Sequence, residues 1–209
     1  MIIDIAEQIG AISRKVEQQQ TERGELVTVT LQRSYPAEAT DVWQAITDPE
    51  RLRRWFLPVT GDLRQGGNFQ LEGNAGGDIL TCQPPRHLVV TFGGESSIVD
   101  VMLSGSGDET LLELTHSVPV ELAGGVAGAL YVGPGWDGAL LGIGLYLAGE
   151  VPADPVEAAN SPEAQEFNVV SIKEWVAAIE ASGTADADSI SAAQQVALAQ
   201  FAPDLVRRD

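Results

Sequence analysis

Positive charge, histidine and cysteine are all scarce in this chain, and each scarcity closes off a class of function. Lysine and arginine total 12 against 30 aspartates and glutamates, a formal net charge of −18 over 209 residues. A nucleic-acid backbone is held by clustered cations that displace its counterions, so no nucleic-acid partner is expected. The same deficit disfavours an anionic membrane surface. The single cysteine, Cys82, excludes an intramolecular disulfide and a cysteine-cluster zinc site. Lying inside a strand pattern, it reads as a small buried hydrophobe rather than a nucleophile. The two histidines, His87 and His116, lack the spacing of metal ligands, so no metal or other cofactor is expected. The apolar stretch Ala139 to Ala148 falls far short of the ~20 residues that span a bilayer. The opening Met1-Ile2-Ile3-Asp4 lacks the basic start of a secretory signal, and a cytoplasmic location is expected.

Hydrophobic residues make up 44% of the chain, enough for a proper core in one domain with additions. Ile2, Ile5, Ile9, Ile12 and Val16 recur at helical spacing, which predicts an amphipathic helix over residues 2–20. Val27, Val29 and Leu31 alternate with polar residues as a first strand, ended by Pro36. A helix over 38–47 follows, carrying Val42 and Trp43. Asp48 is then a good N-cap, with Pro49 suited to the first helical position and Glu50 to the positive helix end. That short helix carries Leu52, Trp55 and Phe56 on one side and Arg51, Arg53 and Arg54 near the surface.

Strands at regular intervals, punctuated by Gly66-Gly67, Gly76-Gly77, Pro84-Pro85 and Gly107-Asp108, predict an antiparallel meander ending near His116. His87, after the proline pair, is expected in a loop. A helix after Gly135 is greasy on nearly all sides, as suits a buried element. Its four glycines, at 135, 138, 142 and 144, weaken it and suggest close approach by a neighbouring element or a bound molecule, with loose packing as the alternative. Beyond Pro155 the chain turns acidic. Ser161-Pro162-Glu163 starts one helix, stopped by Gly183, and Ser189 is expected to cap another. The expected organisation is an N-terminal amphipathic helix over 1–24, a central domain over 25–149, and a helical extension over 150–209 that packs with the first helix. Homodimerisation through these terminal helices is the alternative to packing within one chain.

The order of strand, two helices, meander and long helix resembles the helix-grip fold of the START-like (SRPBCC, Bet v 1-like) superfamily. More narrowly, Thr47-Asp48-Pro49-Glu50-Arg51-Leu52-Arg53-Arg54-Trp55-Phe56-Leu57-Pro58 is similar to a segment of the bacterial activator of Hsp90 ATPase homologue-like proteins. Gly61 to Arg64, Leu71 to Gly77, Pro84-Pro85 and Gly135-Trp136-Asp137 continue the pattern, while the Ala/Gly-rich Leu122 to Val132 departs from it. The resemblance implies an α+β fold: a curved antiparallel sheet covered by a long C-terminal helix, with extra helices at both ends.

It also implies a hydrophobic cavity between sheet and helix. Inward alternation and the helix stripe place Phe69, Leu71, Val90, Phe92, Leu114, Trp136, Leu140 and Ile143 on its wall. The same side chains could instead pack together as core. His116 shares a strand face with Leu112 and Leu114 and reads as a buried, hydrogen-bonded histidine. Arg54 is a candidate for pairing with a ligand carboxylate, or a plain surface arginine. Asp137 reads as a carboxylate near a helix start, favoured by the helix dipole.

The leading expectation is a non-catalytic protein binding a small apolar or aromatic ligand. An enzyme acting on a cavity-bound substrate, built on His116, Tyr146 and Asp137, is the second reading. A chaperone-associated interaction module is the third.

Overall fold

The computed structural model describes residues 4–22 and 24–207. Alternation of apolar and polar residues from Val27 onward forms the long strand β2 (Gly24–Tyr35), and its burial follows that alternation. Around it stand β1 (Ser13–Thr21), β3 (Val59–Gly61), β4 (Asn68–Leu71), β5 (Gly76–Gln83), β6 (His87–Thr91), β7 (Ile98–Ser106) and β8 (Glu109–Pro119). The strand order is β1-β2-β8-β7-β6-β5-β4-β3. Successive strands from β3 to β8 pair antiparallel as the expected meander. Register slips between Ile79 and Thr81, a bulge of the kind that bends a sheet. The element order is that of the α+β helix-grip fold.

Two compact units divide the chain. One comprises Met1–Leu31, Val118–Leu140 and Glu157–Asp209, the other Gln32–Ser117 and Leu141–Val156. In the second unit, helices α2 (Ala39–Thr47) and α3 (Pro49–Leu52) precede the meander, which the seven-residue end of α5 (Gly133–Leu147) rejoins. Its core combines aliphatic and aromatic side chains: Tyr35, Val42, Trp43, Val101, Leu103, Leu112 and Leu141 are all buried. His87 opens strand β6 instead of lying in a loop, because Met102 of β7 is its cross-strand partner. Cys82 is half-buried, more open than a core position.

The first unit corrects the N-terminal expectation. Ile2 lies outside the described residues, and α1 runs only over Ile5–Gly10. Strand β1 then takes over where a continuing helix was expected. Ile9, Ile12 and Val16 are buried as the stripe required. The side chain of Arg14 is buried as well, and Arg14 with Val16 marks the two-residue period of a strand. Pairing beside β2 outweighed a helical spacing that only five residues supported.

After the short α6 (Pro155–Ala159), the C-terminal helices α7 (Pro162–Ser182) and α8 (Ala187–Phe201) pack on one another, and α7 also packs on α1 and β1. Ser161 caps α7 by accepting from Ala164 N, and Gly183 ends it at φ 69°, in the left-handed region. Asp186, not Ser189, caps α8. Its carboxylate accepts from both Ser189 N at 2.8 Å and Ser189 Oγ at 2.7 Å, so the serine is a partner of the cap. The Ala/Gly-rich stretch becomes a short helix, α4 (Val120–Ala123), and a 3-10 helix over Val126–Tyr131 whose first five residues are buried. Small side chains there let α7 and α8 come close.

Candidate ligand-binding site

The Asp48 motif builds the first part of the site in the second unit. Asp48 Oδ1 accepts from Glu50 N at 2.8 Å and Arg51 N at 3.2 Å, which fixes the start of α3. One turn later the chain presents Trp55, whose Nε1 donates to Ala45 O at 2.9 Å and whose ring stacks on Phe56 at 5.3 Å. A Cβ on Gly142 would stand 2.9 Å from the Trp55 ring. Glycine at that position lets the final turns of α5 close onto the indole, as the helix glycines implied.

The same unit holds a buried cation. Arg33 is only 8% exposed. Its guanidinium lies 5.4 Å from the Tyr35 ring centroid, and a Cβ on Gly144 would reach within 2.9 Å of Nη2. Burial pushes the Tyr35 phenol well above its ordinary pKa, and the charge of Arg33 opposes that rise. The signal was available in the alternation: Arg33 has the parity of Val27, Val29 and Leu31.

His116 is 5% exposed, among Leu112 and Leu114 as expected. Its Nε2 lies 2.8 Å from Ser97 Oγ, and its ring meets Phe92 edge-on at 6.1 Å. Phe92 in turn lies 6.3 Å from Phe69. Burial lowers the His116 pKa to about 4, so the imidazole is neutral near pH 7. Ser97 lies in the β6–β7 turn, where no pattern pointed to it.

The structure therefore brings Phe69, Phe92 and His116 together. Leu71, Val90, Leu114 and Ile143 are buried in the same unit, and Val90 and Leu114 pair across strands with Val99 and Val101. Trp136 and Leu140 belong to the first unit. Arg54 is exposed, its guanidinium 5.4 Å from the Tyr146 ring centroid.

Asp137 departs from expectation. Helix α5 begins at Gly133, so Asp137 stands beyond its first turn, and side chains rather than helix N–H groups satisfy it. Arg14 Nε donates to both of its oxygens, at 2.8 and 3.1 Å; Ser171 Oγ and Trp175 Nε1 donate to Oδ2 at 2.5 and 3.1 Å. Burial drives this carboxyl's pKa upward, against the pull of Arg14, Ser171 and Trp175. Asp137 belongs to the first unit, and His116 and Tyr146 to the second. Among the described residues, no three His, Cys, Asp or Glu side chains gather as a metal-binding group, and no helix is long and apolar enough to cross a membrane.

Elements and site together define a helix-grip domain of the START-like class. The profile of the family described as Activator of Hsp90 ATPase homolog 1-like protein matches residues 36–147. The crystal structure of CalU16 from Micromonospora echinospora is 38% identical, covering 81% of this chain and 98% of that one, with a TM-score of 0.67. The solution structure of CalU16 gives 37% identity, 82% and 97% coverage, and a TM-score of 0.69. DynU16, a protein in the dynemicin biosynthetic locus, shares the fold at 24% identity over 61% of this chain and 49% of that one, with a TM-score of 0.51. No curated protein matches. The chain belongs to the Activator of Hsp90 ATPase homolog 1-like family.

Proposed function

We propose that the protein binds a small, largely apolar or aromatic molecule in the second unit, between the inner face of the sheet and the α5 residues Leu141–Leu147, without transforming it. The observation that carries this reading is the Phe69–Phe92–His116 cluster. Its two phenylalanines stay half-exposed although Val90 and Val99 alongside are buried. Rings of that size gain most when water is removed from them, so half-exposed rings beside a buried polar group suit a ligand better than a finished core.

The chaperone-associated alternative rests on the family's name, and a fold does not fix a function. Native mass spectrometry of the purified protein tests the binding reading. A co-purifying small molecule, or uptake of 1-anilinonaphthalene-8-sulfonate that Phe92→Ala weakens, is the expected result. A bare protein mass together with no dye uptake overturns it.

A further inference from the structure

Resting on that binding reading, the geometry points to an aromatic alcohol as the ligand class, its ring held by Phe69 and Phe92 and its hydroxyl read by the Ser97–His116 pair. Ser97 stands opposite Phe92 at the end of the β6–β7 hairpin, where Phe92 N donates to Ser97 O at 2.9 Å. This brings its hydroxyl and the phenylalanine ring to one rim. Ser97, Phe69 and Phe92 are each half-exposed while His116 is buried, so the polar pair is approached from the serine side.

The contact between Ser97 Oγ and His116 Nε2 at 2.8 Å uses one proton between two neutral groups. If the serine donates, its oxygen keeps lone pairs and accepts from a ligand. If the imidazole donates, the serine proton is free to be given outward. A ligand hydroxyl both donates and accepts, so it fits either arrangement. A ketone oxygen fits only the second. A carboxylate also needs an outward donor, and it would bring a charge against an imidazole that burial holds neutral, with a pKa of about 4. An unsubstituted ring would leave the serine hydroxyl covered and without its water, a loss that the alcohol avoids.

Titration calorimetry with naphthalene, 2-naphthol and 2-naphthoate tests the inference on the full chain. The wild type is expected to bind 2-naphthol about fivefold more tightly than naphthalene, the size of one net hydrogen bond. Ser97→Ala, with no hydroxyl to cover or to pair, is expected to bring that ratio to about one, and an unchanged far-UV circular dichroism spectrum shows that the variant is folded. Ser97→Thr, which keeps the hydroxyl, is expected to retain the preference. A ratio that survives Ser97→Ala, or a stronger affinity for 2-naphthoate than for 2-naphthol, overturns the inference. Naphthalene binding with no preference for the alcohol sinks this inference alone. Failure of all three probes to bind sinks the binding reading with it.

Discussion

The carboxylate of Asp137 lies 2.8 Å from Nε of Arg14, both side chains almost wholly buried, at 0% and 6% exposure. The second guanidine nitrogen, Nη1, donates to Ile9 O and Ile12 O, so the ion pair ties helix α1 and strand β1 to α5 within the first unit. Asp137→Ala strands a buried cation and two further donors, and is expected to lower unfolding free energy by about 3–5 kcal/mol. Asp137→Asn keeps an acceptor and is expected to cost less. Urea denaturation of the two variants checks the ranking.

His116 makes stability depend on pH. Burial lowers its folded pKa from 6.5 to about 4, so the unfolded chain takes up a proton that the folded chain refuses across that window. Stability therefore rises with pH from about 4 to 6.5 and falls on acidification, by on the order of 3 kcal/mol in all. Denaturation midpoints measured at intervals through this range are expected to show the slope, and His116→Gln is expected to flatten it.

Two glycines of α5 are expected to respond oppositely to alanine. A Cβ on Gly133 would stand 2.4 Å from the Trp175 ring, which is fully buried and has no room to retreat. Gly133→Ala is expected to cost about 2 kcal/mol through overpacking. Gly138 has nothing within 4 Å of the same added atom, and Gly138→Ala is expected to gain up to about 1 kcal/mol of helix propensity. Thermal melts of the two variants should move in opposite directions.

Asp48 presents the plainest local test. Its side chain is the acceptor for two N–H groups at the start of α3, so Asp48→Ala is expected to lose about 1 kcal/mol. Trp55 follows this helix. Its fluorescence is expected to shift in Asp48→Ala and to be restored by Asp48→Asn.

The meander, the Asp48 cap and the helix after it were legible in the sequence because each depends on local chemistry: alternation, a short acceptor before a proline, glycine pairs at turns. Residues 13–21 were not. Val16 is their single apolar residue and sets no period of its own, so the helical spacing of Ile5, Ile9 and Ile12 runs on into them; the burial of the Arg14 side chain beside Val16 is what marks the strand. The surroundings of Asp137 are illegible for a related reason, since its partners Arg14, Ser171 and Trp175 are remote in sequence and leave no local trace. His116 was read correctly from strand parity. The same parity applied to Arg33 pointed inward too, but a charged side chain at an inward position was passed over. Ser97 lies in a turn, where periodicity carries no information.

Those remote partners decide what can be cut away. The family profile spans residues 36–147 and so includes Asp137, yet every side chain shown donating to that carboxylate falls beyond its limits. An excised 36–147 fragment would lose every one of those donors, together with helices α7 and α8 that pack on the 3-10 helix. The terminal segments are thus structural members of the fold, and the smallest sound piece for expression or engineering reaches from before Arg14 to beyond Trp175.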